Sequence, residues 1–376
     1  MYLLNDSSAT IEKQEYKPHS KEPVFPQSIS SSLKVANPLL FPEWNDWLLN
    51  SPNYSFFHSV NWARVLTDSY GYQPRYFINE GRNRFNALIP VMEINSAITG
   101  KRGVSLPFSD VCLPILAPEL NRNTISKQIL DYGQQAGWKS LEIRGDGFAP
   151  PDTQPTNYFV LHHVPLGDEC NVDNVFSRFR NNFRTRIRKG LREGIQVHIL
   201  RTPEAMREFY RLQCLTRKSK SLPPQPYQFF KNIYAHVIAE DLGFVILASH
   251  KGRIIAGGVF FHFGTKMIYK FGASNKAYQH FPANFLIIWN AIKWACENNK
   301  KCFCFGRSDT DLTGLLQFKD GWATKRKQLN YYKYNFSQQT FLQENRASTS
   351  HAYPLLDKLP ISLLKFAGEI LYRHIG

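Results

Sequence analysis

"KMIYKFGASNKAYQHFPANFLIIWNAIKWACENNKKCFCFGRSD", residues 266–309, reads as strand, loop, helix, strand. Lys266–Ser274 is a mainly apolar run of strand length, and Ala283 to Asn299 is long enough for four helical turns. Lys301–Asp309 is a second strand, and the order of the three marks a unit of the α/β class with a mixed sheet. The second strand ends unusually. Cys302 to Phe305 is apolar, and then Gly306, Arg307, Ser308, Asp309, Thr310 and Asp311 follow without a break. Beyond a short apolar turn stand Phe318-Lys319 and Gly321-Trp322. Polar residues gathered at a strand end are where scaffolds keep chemistry, although solvent-facing turns use the same residues.

Outward from this unit the order repeats. "FVILASHKGRIIAGGVFFHF" (244–263) is a hairpin turning at Lys251-Gly252-Arg253 and precedes the strand at 266. Upstream, "PRYFINEGRNRFNALIPVMEI" (74–94) is a hairpin turning at Glu80-Gly81-Arg82-Asn83. It is followed by the apolar "GVSLPFSDVCLPIL" (103–116), a helix at about 122–137 and the strand "SLEIRGDG" (140–147). Short helices are expected at 44–50 and 59–69. Two passes through one order are what two copies of an α/β unit leave behind, and the common strand–helix–strand order also recurs by chance. Residues 1–37 are polar and aperiodic, as in a disordered tail. At the other end, 336–376 is a tail with an amphipathic segment, "AYPLLDKLPISLLKFAGEILYRHIG" (352–376). There Leu363, Leu364, Phe366, Ala367 and Leu371 form one helical face, which either packs on the body or makes peripheral contact with a membrane.

Between the copies, "NVFSRFRNNFRTRIRKGLREG" (174–194) places Phe176, Phe179, Phe183, Ile187 and Leu191 on one helical stripe. Residues 178–192 contain seven basic residues and no acid, with Arg180, Arg184, Arg188 and Arg192 in one row. Two readings stand: a solvated linker helix, or a docking surface for phosphates. The whole chain has 46 Lys+Arg against 30 Asp+Glu, an excess of 46 − 30 = 16 that favours an anionic partner. With 376 residues, 43% of them hydrophobic, the chain can bury two cores. Its six scattered cysteines read as thiols of a reduced cytoplasmic protein, with no disulfide and no zinc. No apolar run approaches the roughly 20 residues of a membrane helix.

Several chemistries are excluded by motif. G-x-S-x-G, a P-loop and G-x-G-x-x-G after a strand are all missing, and His162-His163, His262 and His280 have no metal spacing. The loop between strand 266–274 and its helix is where acyltransferases of the GNAT superfamily carry R/Q-x-x-G-x-G/A, whose N–H groups hold a pyrophosphate. Here that position reads Gln279-His280-Phe281-Pro282-Ala283-Asn284, with glutamine kept and both glycines gone.

The stretch 278–334 resembles FemAB-like proteins, tandem-GNAT relatives of the Fem peptidyltransferases, which extend peptidoglycan peptides from aminoacyl-tRNA. The resemblance rests on Pro-x-Asn at a helix start, a strand ending in F-G-R-S-D, and the F-K-x-G-W turn. "FFHSVNWARVLTDSYGYQPRYF" and "SLPFSDVCLPIL" extend it over about 38–335. The resemblance implies two GNAT-like domains, 38–168 and 169–335, and a cytoplasmic N-acyltransferase working near the inner face of the membrane. It would act on an amine of a cell-envelope or polysaccharide precursor, without metal or tightly bound cofactor. Its donor would be an aminoacyl-tRNA or an acyl-CoA. Lys319 would stabilise an oxyanion, and Asp309 or Asp311 would take the amine proton or orient it. Arg307, Ser308, Tyr269, Phe318 and Trp322 would contact substrate. Gln279, Ala283, Asn284, Arg180, Arg184 and Arg188 would contact the donor. The alternative from a different class is a non-catalytic RNA- or membrane-associated module on the same scaffold.

Overall fold

The structure, a computed structural model, describes residues 31–343 and 356–375. The expected polar tail lies outside the described residues as far as residue 30. Its last part is not a tail: β1 (Lys34–Ala36) pairs antiparallel with a strand of the first half. The first half continues with α1 (Trp44–Leu49), α2 (Val60–Tyr70), β2 (Gln73–Pro74), β3 (Tyr76–Gly81), β4 (Arg84–Ile89), β5 (Met92–Ser96) and β6 (Gly100–Ser105). It closes with β7 (Ile115–Leu116), α3 (Arg122–Gln135), β8 (Ser140–Arg144) and β9 (Asn157–Pro165). The second half holds α4 (Val172–Ser177), α5 (Asn181–Arg192), β10 (Gln196–Leu200), α6 (Pro203–Lys218), α7 (Tyr227–Ile233), β11 (Gly243–His250) and β12 (Arg253–Phe263). Then come β13 (Lys266–Ser274), α8 (Ala283–Glu297), β14 (Cys302–Ser308), α9 (Thr313–Asp320), β15 (Lys325–Asn335), β16 (Thr340–Phe341) and α10 (Ile361–Ile375).

One mixed sheet of 12 strands runs through both halves in the order β10-β11-β12-β13-β14-β9-β15-β8-β6-β5-β2, with β16 on β15. β1-β3-β4-β7 form a separate small sheet. Two strand pairs are parallel, β6 with β8 across α3 and β13 with β14 across α8. On β11, Val245 and Leu247 face the α6–α7 layer, while Phe244, Ile246 and Ala248 face α8. The sheet is therefore buried on both faces here, as the continuous apolar runs require.

Three expectations are corrected. The helix foreseen over 178–192 is broken: α5 begins at Asn181, because Arg180 is extended (φ −52°, ψ 143°) and its N–H bonds the Gly321 carbonyl at 3.0 Å. Leu191 leaves the apolar stripe for solvent, while Phe179, Phe183 and Ile187 stay buried. Cys170 and Cys296 are joined in a disulfide, linking the approach to α4 with the end of α8. They lie 126 residues apart, so no local spacing announced the pair.

Candidate functional site

β13 and β14 pair only from Lys266–Cys302 to Ile268–Cys304, and then diverge. Each is irregular just beyond that point. On β13, Val259 pairs with Phe271 and Phe260 with Tyr269, which leaves Lys270 as an extra residue in a bulge. On β14 the register shifts between Cys304 and Arg307, around Gly306 at φ +68°. A side chain at 306 would be strained and would also meet the Asp110 carboxylate, 3.0 Å from the added carbon. These two departures turn Lys270 and Arg307 into one cavity.

The cavity measures about 320 Å³ and is lined by Phe108, Ser109, Asp110, Arg144, Arg217, Lys270, Arg307 and Tyr372, among others. Asp110 accepts from Lys270 Nζ at 2.8 Å, and the lysine side chain is only 7% exposed. Burial pulls the Lys270 ammonium down, and Asp110 opposes that pull. Arg144 is buried: its Nη1 donates to the Leu106 and Ser109 carbonyls, and its Nε to Glu142. Burial alone would raise the Glu142 carboxyl, but Arg144, with Arg307 and Lys333, holds it below the usual range. Arg307 lies over the Phe159 ring at 4.1 Å and the Tyr331 ring at 5.2 Å. Among the described residues neither Arg307 nor Arg217 forms a salt bridge. Four cations thus line the cavity with one carboxylate. Lys270 is paired with Asp110 and Arg144 with Glu142, and the charge left by Arg307 and Arg217 favours an anion.

The loop that brings Asp110 is pinned from several sides. Tyr331 Oη donates to the Asp110 carbonyl at 2.7 Å, and Ser109 Oγ to Leu106. His58 lies beneath it, fully buried. Its Nδ1 accepts from Ser55 N–H, so Nε2 carries the proton and donates to the Leu113 carbonyl at 2.9 Å. Val111 and Leu113 of the same loop wall a second, apolar cavity of about 250 Å³ with Phe57, Ile268 and Cys304.

Of the residues expected from sequence, Arg307 reaches the cavity. Lys319 does not: its Nζ donates to the carbonyls of Phe305, Gly306 and Arg307 at 2.8, 3.0 and 3.2 Å. The ammonium has three protons, and all three are committed to the end of β14. Burial lowers its pKa to about 8 against the pull of Asp110. Phe318 and Trp322 do not aim the lysine at a cleft. They pack with Phe183 and Phe285, and Trp322 is fully buried, with no ring face left for substrate. Gly321 lets the Phe183 ring lie where a side chain would stand. Ser308 is buried, and its Oγ finds no partner among the described residues. Asp309 and Asp311 lie on the turn after β14 and do not line the cavity, and Asp311 is exposed. Tyr269 faces the other side of the sheet, stacked on Phe260 at 5.0 Å.

The loop before α8 stands where a pyrophosphate cradle would lie. The N–H groups of Ala277, Tyr278, Gln279 and Phe281 all bond acceptors within residues 275–278. Pro282 has no N–H to give, and Ala283 is buried, with Gln279 and Asn284 exposed beside it. Gly190 of α5 packs directly on Pro282 and Leu286. With four N–H groups committed locally and none at Pro282, the loop offers a pyrophosphate fewer donors than the glycine-bearing GNAT pattern. Arg180, just before α5, and Arg188 on it are exposed. Arg184 is half-buried and bonds Asn181, and Arg188 lies over Phe176.

Asp110, Arg144, Lys270 and Arg217 were not foreseen. Lys270 left a signal, as a lone cation inside an apolar strand. Asp110 stands in the proline-broken apolar run 103–116, with nothing local to single it out.

A family model described as an acetyltransferase (GNAT) domain matches residues 177–320. Among solved structures, FemX superposes with a TM-score of 0.61 at 14% identity, over 80% of this chain and 96% of FemX. The C-terminal DUF2156 domain of an Agrobacterium fabrum protein named for lysylphosphatidylglycerol synthesis gives 0.52 at 12%, over 84% and 94%. A tandem GNAT protein from the clavulanic acid biosynthesis pathway gives 0.50 at 8%, over 81% and 98%. No curated protein matches the sequence. The chain has a GNAT-type acyltransferase fold, similar at low identity to FemX and tandem-GNAT proteins.

Proposed function

We propose that this protein is an N-acyltransferase of FemAB-like type, built from two GNAT-like units at 38–168 and 169–335. It moves an acyl or aminoacyl group onto an amine of a cell-envelope or polysaccharide precursor. The observation that carries this reading is the cationic cavity at the point where β13 and β14 part, with one carboxylate, Asp110, held inside it. Arg307 and Arg217 bind the anionic part of the acceptor, a phosphate or carboxylate, and so fix the amine beside Asp110. The amine attacks the donor carbonyl, a C–N bond forms, and the donor's ester bond breaks with release of its hydroxyl. Asp110 takes the amine proton and passes it to the leaving oxygen, and Lys270 holds that carboxylate in place. An aminoacyl-tRNA is the donor favoured by the loop before α8, with Arg180, Arg184 and Arg188 on the phosphates. Asp309 and Asp311 stay as outer residues of the turn. Lys319 fixes the end of β14, and through it Arg307.

The test is mass spectrometry of envelope precursors from cells carrying the wild-type chain, Asp110→Asn, Arg307→Ala, or no copy. The expected result is a precursor mass gained only with the wild-type chain, with each variant reduced on the order of 100-fold. Identical precursor profiles in all four strains would overturn the assignment. In that event RNA binding without transfer would support the non-catalytic module.

A further inference from the structure

α10 is fixed to the body by one face. Leu364, Gly368 and Tyr372 point inward. A side chain at Gly368 would stand 2.0 Å from the Pro224 carbonyl, so the helix backbone lies directly against the chain beneath it. Tyr372 Oη accepts from Arg217 and donates to the Pro223 carbonyl. Its own carbonyl accepts from Tyr72, and Arg102 Nη2 donates to the carbonyls of His374 and Ile375. A helix tied at this many points is part of the fold.

Its other face is unlike a solvated one. Leu363, Phe366 and Ile370, at spacings of three and four, are 52%, 62% and 46% exposed. They lie opposite the packed stripe, so the apolar face expected from sequence is split: Leu364 turns inward while Leu363 and Phe366 turn out. Leu359, just before the helix, is exposed as well. Across 358–375 the charged residues are Lys358, Lys365 and Arg373 against Glu369 alone, 3 − 1 = +2. An apolar ridge flanked by cations on a chain of net charge +16 matches an anionic bilayer surface, which takes ridges of this kind at the headgroup boundary. No helix among the described residues is long and apolar enough to cross a membrane, so the contact is interfacial. Position adds an independent argument: Tyr372 and Ile375 are also walls of the cationic cavity, together with Arg217 and Arg307.

We infer that α10 docks the protein on anionic phospholipid through Leu363, Phe366 and Ile370, and so sets the cationic cavity beside the lipid headgroups. The surface stands whether or not the transfer reaction assigned above is correct. Its test is flotation of the full chain with vesicles of phosphatidylcholine containing roughly a quarter phosphatidylglycerol, and with phosphatidylcholine alone. Wild type should float with the anionic vesicles and much less with the neutral ones. Phe366→Ser/Ile370→Ser should weaken partitioning at least about ten-fold, with an unchanged melting temperature because both residues are exposed. Lys358→Gln/Arg373→Gln should abolish the preference for the anionic vesicles. Wild type left at the bottom of both gradients, or a serine variant that floats as well as wild type, would overturn the inference. So would a dimer in solution that the serine variant splits, since the ridge would then join two copies of the chain.

Discussion

Lys319 shows how one side chain changes meaning between sequence and structure. In sequence it is a lone cation between aromatics beside a polar strand end, the pattern of a transition-state stabiliser. In the fold it gives all three protons to the carbonyls of residues 305–307, at the place where Gly306 breaks the register of β14. Those carbonyls sit at the register shift of β14, and a buried carbonyl that loses its donor is costly. Lys319→Met should therefore lower stability by about 3 kcal/mol in urea unfolding. Because the same carbonyls set the direction of Arg307, anion affinity at the cavity should fall with it. Lys319→Arg should rescue poorly, since a planar fork does not reach three carbonyls that converge on one point. A Lys319→Met protein with wild-type stability but a 100-fold loss of rate would return the lysine to the reacting atoms.

At the scale of elements, the loop from β6 to β7 is the one on which the site depends, and His58 makes its anchorage sensitive to acid. Its Nδ1 accepts from Ser55 and its Nε2–H donates to Leu113, so a second proton would have to enter against the Ser55 donor. Burial lowers its pKa from 6.5 to about 4. A depressed value means that the stabilisation is present above pH 6.5 and is lost as pH falls towards 4. Over that span it amounts to about 3 kcal/mol. Urea unfolding between pH 7 and pH 4 should show that loss in wild type, and His58→Gln, which cannot take up the proton, should show a flatter profile. Equal slopes in the two proteins would mean that other groups control the acid limb. Elements with strong local patterns were legible: the 74–94 hairpin, the 122–137 helix, β13, α8 and β14 all stand within a few residues of their expected bounds. β15, "KRKQLNYYKYN", was not, because its polar residues look outward and what makes it a strand is its pairing with β8 and β9. For the same reason the site was only half legible. Arg307 stood in a visible motif, whereas Asp110 meets Lys270 across 160 residues.

In the whole molecule the two halves of the sequence are interlocked. β9 belongs to the first half in sequence, yet it lies between β14 and β15 of the second, with His163 opposite Cys304 on one side and Lys325 on the other. β15 in turn leaves the second half to pair with β8, Tyr331 opposite Arg144. A boundary after residue 168 therefore divides the sequence in two but cuts three strand interfaces in space, β14–β9, β9–β15 and β15–β8. The cavity is divided the same way, with Asp110 and Arg144 from one half and Lys270 and Arg307 from the other. Expressed alone, residues 1–168 would expose an edge of β9 and of β8, and residues 169–376 would leave β14 and β15 without the strand between them. Open edges of that length pair with other chains. Each fragment alone is therefore expected to be insoluble or to lack cooperative unfolding, and co-expression should recover a one-to-one complex that melts in a single transition. The measurement is circular dichroism melting on the separate and co-expressed fragments, with the composition of the complex read by native mass spectrometry. A soluble 169–376 fragment with its own sharp transition would show that the second unit folds without β9, and the sheet would then be two docked sheets rather than one.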